Sequence, residues 1–543
     1  MARRSSRDGR ARSRAVTPAA LTALLLLALV ATASACSEQA EDPFAELPAL
    51  VWQTEPLEFE WQTEHWRPIE WITDYHDGIA DRVRVEVEWC ERHGLKPPHE
   101  DEFLELFPIG TDRYRMSGYF TLVDDKELGW IEQIAAETAA RRELELESLP
   151  TVVAVTPDVL RRYSCFYFVE AERNTDPMDY DALWEFERMI GLIPEQWTPP
   201  LLLHLQNLWT AGWYARDEHG EPLIILVSEL PLAEYSVSTV AHELVHALQD
   251  QLLDGTLHDL YGAGSSDQAA AYAWVVEGDA SVSELGPEDP FTEQLMRSRS
   301  WGTHALPFWW TGGGITISEI GMRGLAMAAP YTSGEEYVSE LQQQSGWEAV
   351  NALLRDPPDS SEQLRHTDKR VADEQPLPIA PLLELRNLVL GLDDEHAPGA
   401  DTRGEQALVD LIAFATTDPE RSARAGAGWG IDAFSLSREF NNAEATVVIW
   451  QIAFDDRYEH REGFAGLREW LIHASGAQAV SSTGGRAVAW NWEGGRVRLV
   501  DGARLVWLIA TDDGEQADLI TRRIMALPEP EGWWEAAEPA EAE

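Results

Sequence analysis

The sequence predicts an α+β fold with more than one domain, and three observations support this. The chain has 543 residues, enough for two or three domains with hydrophobic cores of their own. Near both ends of the chain, apolar residues alternate with polar ones, as in half-buried strands. The middle of the chain carries two long helical segments, at residues 239–251 and 267–280. We therefore expect a central domain with a small sheet and these helices, an N-terminal strand-rich region and a C-terminal α+β domain.

The first 35 residues have the three parts of an export signal. A cluster of arginines is followed by the apolar run Ala19–Val30, which is too short to span a bilayer, and by the small-residue cleavage site Ala33–Ala35. Because Cys36 follows directly, the junction is typical of a lipoprotein signal peptide. We predict that residues 1–35 are removed and that a lipid on Cys36 anchors the exported chain to the membrane of the cell envelope, at the outer membrane or facing the periplasm. Plain secretion after cleavage nearby is the alternative.

Residues 36–140 form the predicted N-terminal region. Alternating runs such as Val83–Trp89 favour strands, and a charged helix is expected over Ile131–Glu147. Cys90 and Cys165 either form a disulfide in an oxidising compartment or remain two buried thiols. Neither cysteine has the C-x-x-C spacing of a cysteine-ligated zinc site, which argues against such a site.

The central domain, predicted over residues 141–395, contains an H-E-x-x-H sequence at residues 242–246. Its surroundings, from Thr239 to Gln251, contain no glycine or proline, which favours a helix. His242 and His246 are four positions apart, so both leave the same face of that helix and can bind one Zn²⁺. Glu243 lies about 100° further round the helix, beside the metal. A general base that deprotonates a bound water must stand there.

A catalytic zinc site needs three protein ligands and a free position for water. Glu277 is the best third candidate, because a lone carboxylate inside the apolar face of the segment Asp267–Ala280 is costly to bury unless a metal compensates its charge. A glutamate that faces water at a helix end is the alternative. The spacing H-E-x-x-H-x-x-G-x-x-H of another zinc-peptidase class is excluded, since Gln249 and Leu252 replace its glycine and third histidine.

Three other residues compete with Glu277 for the third ligand position. They are His258, Asp259 and Asp267. The segment Gly255–Gly262 comes close to the signature G-T-x-D-x-x-Y-G, whose aspartate is the third ligand in the aspartate-ligand zincins. His258 stands in the place of that aspartate, so Glu277 remains the preferred ligand.

Several blocks of the chain resemble a group of uncharacterised bacterial zinc metallopeptidases of the gluzincin type. The strongest block is residues 242–251, of the form H-E-L-x-H-A-L-Q-D-Q, and E-G-D-A follows at residues 277–280. Looser similarity extends over residues 140–435. The resemblance implies a zincin-like metallopeptidase domain and no particular substrate. It also implies one Zn²⁺ held by His242, His246 and Glu277, with Glu243 as the general base.

The chain departs from the gluzincin pattern at one position that affects the ligands. Gluzincins such as thermolysin have an aspartate four residues after the glutamate ligand, and it orients a histidine. Here that position is Ser281. Either Asp279 or Ser281 is therefore expected to support a ligand from outside the metal's own shell.

Two further features would complete a site that cleaves peptides. Tyr331 and His366 are the candidates to donate a hydrogen bond to the oxyanion, although each also reads as an ordinary packed or surface residue, as does Tyr214. The run Leu223–Val227 predicts a hairpin strand. It is either the strand with which a peptide substrate pairs or a plain core strand.

The C-terminal part changes character. Alternating runs, among them Thr446–Ile452 and Leu505–Ala510, predict a strand meander that is closed by a helix at Gln516–Met525. This gives a small α+β domain over residues 396–527. Residues 528–543 are rich in Ala, Glu and Pro and are predicted to be a disordered acidic tail.

Composition narrows the function. The net charge is −52, and removal of the signal peptide with its six arginines and one aspartate makes it −57. Such a surface repels nucleic acid, which argues against a role on DNA or RNA. Several of the 23 tryptophans cluster in the N-terminal part, namely Trp52, Trp61, Trp66, Trp71 and Trp89. They fit ordinary packing, or a platform for carbohydrate or peptidoglycan as a second interpretation.

The sequence thus predicts a zinc-dependent metallopeptidase of the cell envelope that hydrolyses a peptide or protein substrate. One alternative is a zinc amidase that acts on peptidoglycan. The other is a catalytically inactive lipoprotein of zincin fold that serves as a binding or scaffolding module.

Overall fold

In the computed structural model, the described residues are 47–54, 120–123, 125–155, 177–192, 211–216, 220–227, 237–258, 264–284, 326, 329–392, 397–415, 419–440, 443–474 and 480–528. The chain divides into two compact units, Met1–Pro48 and Ala49–Glu543, and every element below belongs to the second unit. The signal peptide, the strand expected at residues 83–89, all three cysteines and residues 529–543 of the acidic tail lie outside the described residues.

The described part of the chain is a mixed α+β structure with two sheets, so the predicted fold class is confirmed at this level. The strands are β1 (Gln53–Thr54), β2 (Phe120–Leu122), β3 (Thr151–Val155), β4 (Gly212–Arg216), β5 (Pro222–Val227), β6 (Trp429–Phe440), β7 (Ala443–Phe454), β8 (Val480–Thr483), β9 (Ala487–Asn491), β10 (Arg496–Gly502) and β11 (Leu505–Thr511). The helices are α1 (Asp125–Arg142), α2 (Pro177–Met189), α3 (Val237–Leu252), α4 (Ser266–Glu284), α5 (Glu335–Ser345), α6 (Trp347–Arg355), α7 (Ser361–Arg365), α8 (Thr367–Ala372), α9 (Ala380–Leu390), α10 (Gly404–Ala415), α11 (Pro419–Gly426), α12 (Arg457–Ala474) and α13 (Gly514–Ala526). A π-helical turn, Pro330–Gly334, precedes α5.

The smaller sheet has the strand order β2-β3-β5-β4. β3 runs parallel to β5, and the two outer strands are antiparallel to their neighbours. The four residues Leu223 to Leu226 of β5 are all buried, as in a strand that is covered on both faces. Ile224 and Leu226 share one hydrophobic core with Ile131 of α1, Leu244 of α3 and Val275 of α4, so the sheet and these helices form one packed body.

Both predicted site helices are confirmed. The segment expected at residues 239–251 lies in α3, and the one expected at residues 267–280 lies in α4. Asp254 and Gly255 follow α3 with φ values of 54° and 87°, and such a left-handed glycine is a common helix stop. α3 and α4 pack against each other along their apolar faces, which brings the candidate ligands of the two helices to one place.

The larger sheet has the order β1-β8-β9-β10-β11-β7-β6. Strands β8 to β11 form an antiparallel meander, of which the sequence predicts β9 to β11, and the β6–β7 hairpin extends it through β7. Five tryptophans in and against this sheet are fully buried: Trp429, Trp450, Trp470, Trp490 and Trp507. These five pack in the core, whereas of the five N-terminal tryptophans that suggested a platform only Trp52 lies within the described residues.

One helix differs in its bounds from the prediction. The helix expected over Ile131–Glu147 is α1, which begins at Asp125 and ends at Arg142. Glu143 has a φ of 56°, and the Leu144 N–H then bonds back to the Ala139 carbonyl at 3.1 Å, which closes the helix.

Elements from the predicted N-terminal region join both sheets. β1 pairs with β8, β2 pairs with β3, and α1 packs on α3. The domain boundaries at residues 140 and 395 stay predictions. In the part of the chain that the structure describes, no helix combines the length and the apolar character needed to cross a bilayer.

Candidate metal centre

The two histidines and one glutamate that the sequence singles out lie together. The His242 Nε2 atom is 3.0 Å from Glu277 Oε2, and His246 Nε2 is 3.5 Å from the same oxygen. The imidazole rings stand edge to face with centroids 4.7 Å apart. One potential ligand atom from each residue lies within 4.8 Å of the other two, and within the described residues this is the group of at least three such side chains that could hold a metal ion.

This arrangement fits a zinc ion chemically. Zinc bonds to imidazole nitrogen and carboxylate oxygen are about 2.0–2.2 Å long, so tetrahedral ligand atoms stand about 3.3–3.6 Å apart. The separations of 3.0 and 3.5 Å from Glu277 need only small shifts to meet that value. Two imidazoles and one carboxylate also form a common ligand set for zinc sites that keep a fourth position open.

Charge holds the three groups together. Burial opposes ionisation of Glu277, but His246 and His242 outweigh it and hold the pKa of this carboxyl well below its usual value. Burial favours the neutral ring of His246, yet Glu277 prevails and raises the pKa of that histidine. The ligand side chains are therefore already drawn into one place, and a metal ion would take over the role of the protons.

Glu243 lies beside the cluster, buried to 5 % exposure. A Cβ atom added to Gly212, at the start of β4, would stand 3.1 Å from Glu243 Oε1. The carboxyl group therefore lies directly against the backbone of β4, and a side chain at position 212 would crowd it. The sequence did not single out Gly212.

Tyr331 is brought to the cluster by the π-helical turn. Its ring lies 5.9 Å from the ring of His242 at an interplanar angle of 28°, and its side chain is 37 % exposed. Gly278 and Gly334 permit this, because a Cβ on Gly278 would lie only 2.4 Å from the Gly334 carbonyl group. The turn packs directly on α4, one residue after Glu277.

His366 and Tyr214 are engaged elsewhere. His366 Nε2 pairs with Glu405 at 3.0 Å, and the described residues show no contact between His366 and the cluster. The Tyr214 hydroxyl donates to Asp250 Oδ2 at 2.6 Å. Burial, together with Asp250, raises the pKa of Tyr214. The structure thus brings Tyr331 to the candidate site and leaves the other two at different places.

The rival ligands are not part of the cluster. His258 is exposed and stacks on Tyr214 with centroids 5.8 Å apart. The Asp267 carboxylate accepts from the Ser361 backbone N–H at 3.1 Å. It precedes Glu277 by ten residues of the same helix, which corresponds to about 15 Å along the axis. Asp259 lies outside the described residues.

Gln249, to which the sequence assigned no role, is the residue that hydrogen-bonds directly to His246. Gln249 Oε1 is 2.8 Å from His246 Nδ1, and Gln249 Nε2 donates to Asp279 Oδ2 at 2.9 Å. Asp279 therefore reaches the histidine through Gln249. Ser281 is buried too, but the described residues show no hydrogen bond from it to either histidine. In the sequence, this contact is indicated only by the spacing of three residues from His246 to Gln249, which places the two side chains about one helical turn apart.

The position of β5 decides between the two readings of Leu223–Val227. β3 pairs with one side of it and β4 with the other, so this run is a core strand. The outer strand on the side of Glu243 is β4.

Comparisons with known proteins add no assignment. No family model matches this chain, and no curated protein or solved structure matches it significantly. The function therefore has to be argued from the site itself.

Proposed function

We propose that this chain is a zinc-dependent metallopeptidase. The supporting observation is that His242, His246 and Glu277 converge from two packed helices, with ligand atoms within 4.8 Å of one another. Peptide hydrolysis needs a base and a hydrogen-bond donor beside the metal, and we assign these roles to Glu243, next to the backbone of β4, and to Tyr331, whose ring lies 5.9 Å from that of His242.

The roles follow from the chemistry of the side chains. A zinc ion in this place would lower the pKa of a water molecule to about 7 and polarise a carbonyl group. Glu243 takes the proton of the attacking water and later delivers it to the leaving amine nitrogen, so that one carboxyl serves as base and then as acid. The Tyr331 hydroxyl donates a hydrogen bond to the oxygen on which negative charge develops.

A peptide is the substrate class that the surroundings favour. The backbone of β4 at Gly212 lies next to the Glu243 carboxyl, so an extended peptide that lies along this strand would bring its own backbone to the proposed base. The charge of −52 repels polyanions. We propose that the enzyme acts outside the cytoplasm, held by a lipid on Cys36.

Metal content tests this proposal. We expect about one zinc per chain in the purified full-length protein, and loss of it in His242→Ala and Glu277→Ala. His258→Ala and Asp267→Asn, which change the rival ligands, are the matched controls and should retain zinc. Zinc that survives Glu277→Ala but not one of the controls would move the third ligand. A wild type without zinc would favour the scaffolding alternative.

Peptide and cell-wall substrates then separate the two enzymatic readings. The zinc-loaded protein is offered a library of unstructured peptides beside purified peptidoglycan. Cleavage of peptides supports a peptidase, whereas release of fragments from peptidoglycan alone would support the amidase.

A further inference from the structure

A buried hydrogen-bond path runs from α1 to the candidate ligand His246. It passes from Arg142 to Asp279, then to Gln249 and finally to the histidine ring. Arg142, Asp279 and Gln249 are fully buried, and His246 is 8 % exposed. Water therefore has no ready access to any member of the path.

We propose that Arg142, Asp279 and Gln249 are positioning residues that fix the tautomer and orientation of His246, so that its Nε2 lone pair faces the metal. This inference rests on the proposed function. Of the two supporting residues that the sequence leaves open, Asp279 and Ser281, it selects Asp279, and it adds Arg142 and Gln249, which no motif in the sequence indicates.

Arg142, at the end of the path away from His246, determines which group donates and which accepts in each hydrogen bond. A guanidinium group has only donors, and Arg142 Nε donates to Asp279 Oδ1 at 2.7 Å. The Arg142 guanidinium is itself fixed, because its Nη2 atom donates to Asn351 Oδ1 at 2.6 Å and its carbon lies 4.4 Å from the ring centroid of Trp347. The buried carboxylate of Asp279 thus has its compensating charge and accepts hydrogen bonds with both oxygens.

The acceptors around Gln249 then fix the orientation of its side-chain amide. Its nitrogen lies 2.9 Å from Asp279 Oδ2 and 2.8 Å from the Val276 carbonyl oxygen, both of which are acceptors. The reversed amide would place its oxygen against these two oxygens and leave buried acceptors without donors, which is strongly unfavourable. The Gln249 oxygen must therefore face His246.

The histidine tautomer follows. Because Gln249 Oε1 accepts at 2.8 Å, His246 Nδ1 must carry the hydrogen. In the neutral ring the other nitrogen, Nε2, then holds the lone pair, and it is this atom that lies 3.5 Å from Glu277 Oε2 in the cluster. A ligand histidine that donates its second N–H to a fixed acceptor is also held in a single ring orientation.

The test compares two glutamines of α3. Gln249→Leu removes the acceptor for His246. Gln251→Leu changes the same residue type two positions away, where the side chain instead donates to the Glu145 carbonyl at 2.7 Å and accepts from the Glu147 N–H at 2.8 Å. Zinc affinity of the full-length variants is measured by chelator competition, and the Co²⁺-loaded proteins give the visible absorption spectrum of the metal, which reports ligand geometry.

We expect Gln249→Leu to weaken zinc binding by about 10–100-fold and to shift the Co²⁺ spectrum, with Gln251→Leu like the wild type. Gln249→Met, which keeps an unbranched side chain, replaces the leucine variant if that one does not fold. Equal affinity and an unchanged spectrum in the Gln249 variant would overturn the positioning role alone, as would an equal loss in Gln251→Leu. A wild type that binds no zinc would overturn the proposed function and this inference with it.

Discussion

At the scale of single residues, the candidate site combines side chains with distinct tasks on one helical turn. His242 and His246 point to Glu277, whereas the adjacent Glu243 turns toward the backbone of β4. This division makes the base separable from the ligands by mutation, because Glu243 can lose its charge without removal of a metal contact.

Glu243→Gln is the corresponding prediction. The amide keeps the shape but cannot accept the proton of water, so we expect peptide hydrolysis to fall by about 10²–10⁴-fold while zinc content stays at the wild-type level. Initial rates and metal analysis on the same preparation check this. Activity near the wild-type level would remove Glu243 from the role of base.

Tyr331→Phe tests the second partner of the site. Loss of the hydroxyl should lower kcat/KM by about 10²–10³-fold with unchanged zinc affinity, because only a hydrogen bond to the oxyanion is lost. Tyr337→Phe is the control, since Tyr337 is partly buried and packs against the core of α3 and α4. If both variants were equally active, the oxyanion donor would have to be sought elsewhere.

At the scale of elements, the contact between α4 and the π-helical turn fixes the distance from Glu277 to Tyr331. It depends on the absence of side chains at Gly278 and Gly334. Backbone lies on both sides of the contact, so an added methyl group cannot be accommodated by rotation of a side chain.

Gly278→Ala should therefore destabilise the fold by about 1–3 kcal/mol, as overpacking does, and reduce activity through displacement of Tyr331. Gly129→Ala in α1 is the matched control, because nothing lies within 4 Å of the added Cβ and alanine favours a helix by about 1 kcal/mol. Urea unfolding of both variants measures the difference. A Gly278→Ala variant as stable as the control would contradict the close contact.

The sequence predicts some elements of this fold well and others not at all. α3 and α4 carry strong helical patterns, and strands β9, β10 and β11 of the C-terminal meander carry clear alternation, so these were found, whereas β8 was not. β6 was not predicted, and it contains Asp432, a residue type that is depleted in strands. In the fold, this carboxylate accepts from the indoles of Trp429 and Trp450 and from the backbone N–H groups of Arg403 and Gly404. Trp429 is three residues from Asp432, but the other three partners are 18 to 29 residues away in sequence.

The residues of the candidate site also fall into those that the sequence predicts and those that it does not. The grouping of two histidines with Glu277 follows from helical spacing and from a lone carboxylate in an apolar helix. The contributions of Arg142, Gln249 and Gly212 depend on how α1, α4 and β4 pack around α3, and no local pattern marks them. Sequence reasoning therefore reaches the candidate ligands but not the residues that hold them in place.

At the scale of the whole molecule, several carboxyl groups are buried at the junction of α4, α10 and β6. Burial raises the pKa of Asp267 to about 7, that of Asp410 to about 7 and that of Asp432 to about 6. Each group holds a proton in the folded state at a pH where the unfolded chain has already released it. The folded state is thus favoured by mild acid.

We expect the contribution of these groups to stability to be full below about pH 4 and to be lost as the pH rises through about 6–7. Urea unfolding midpoints should therefore fall between pH 5 and pH 8. Asp410→Asn, which cannot ionise, should reduce this dependence, whereas Asp356→Asn, at a side chain that is 87 % exposed, should leave it unchanged. A midpoint that rises over this range would show that other groups dominate.

Because α1 and β2 pack against the elements of the candidate metal centre, a fragment must include them to keep that centre intact. A fragment that starts at residue 141, where the recognisable motifs suggest a beginning, would retain Arg142 but lose the helix that carries it and the outer strand beside β3. We expect such a fragment to be unable to keep the candidate metal-ligand side chains in place. A fragment that begins before Phe120 is the smallest one that we expect to fold independently. The part of the chain that the candidate metal centre needs therefore includes the elements that support its ligand residues, and these begin well before the motifs that contain those residues.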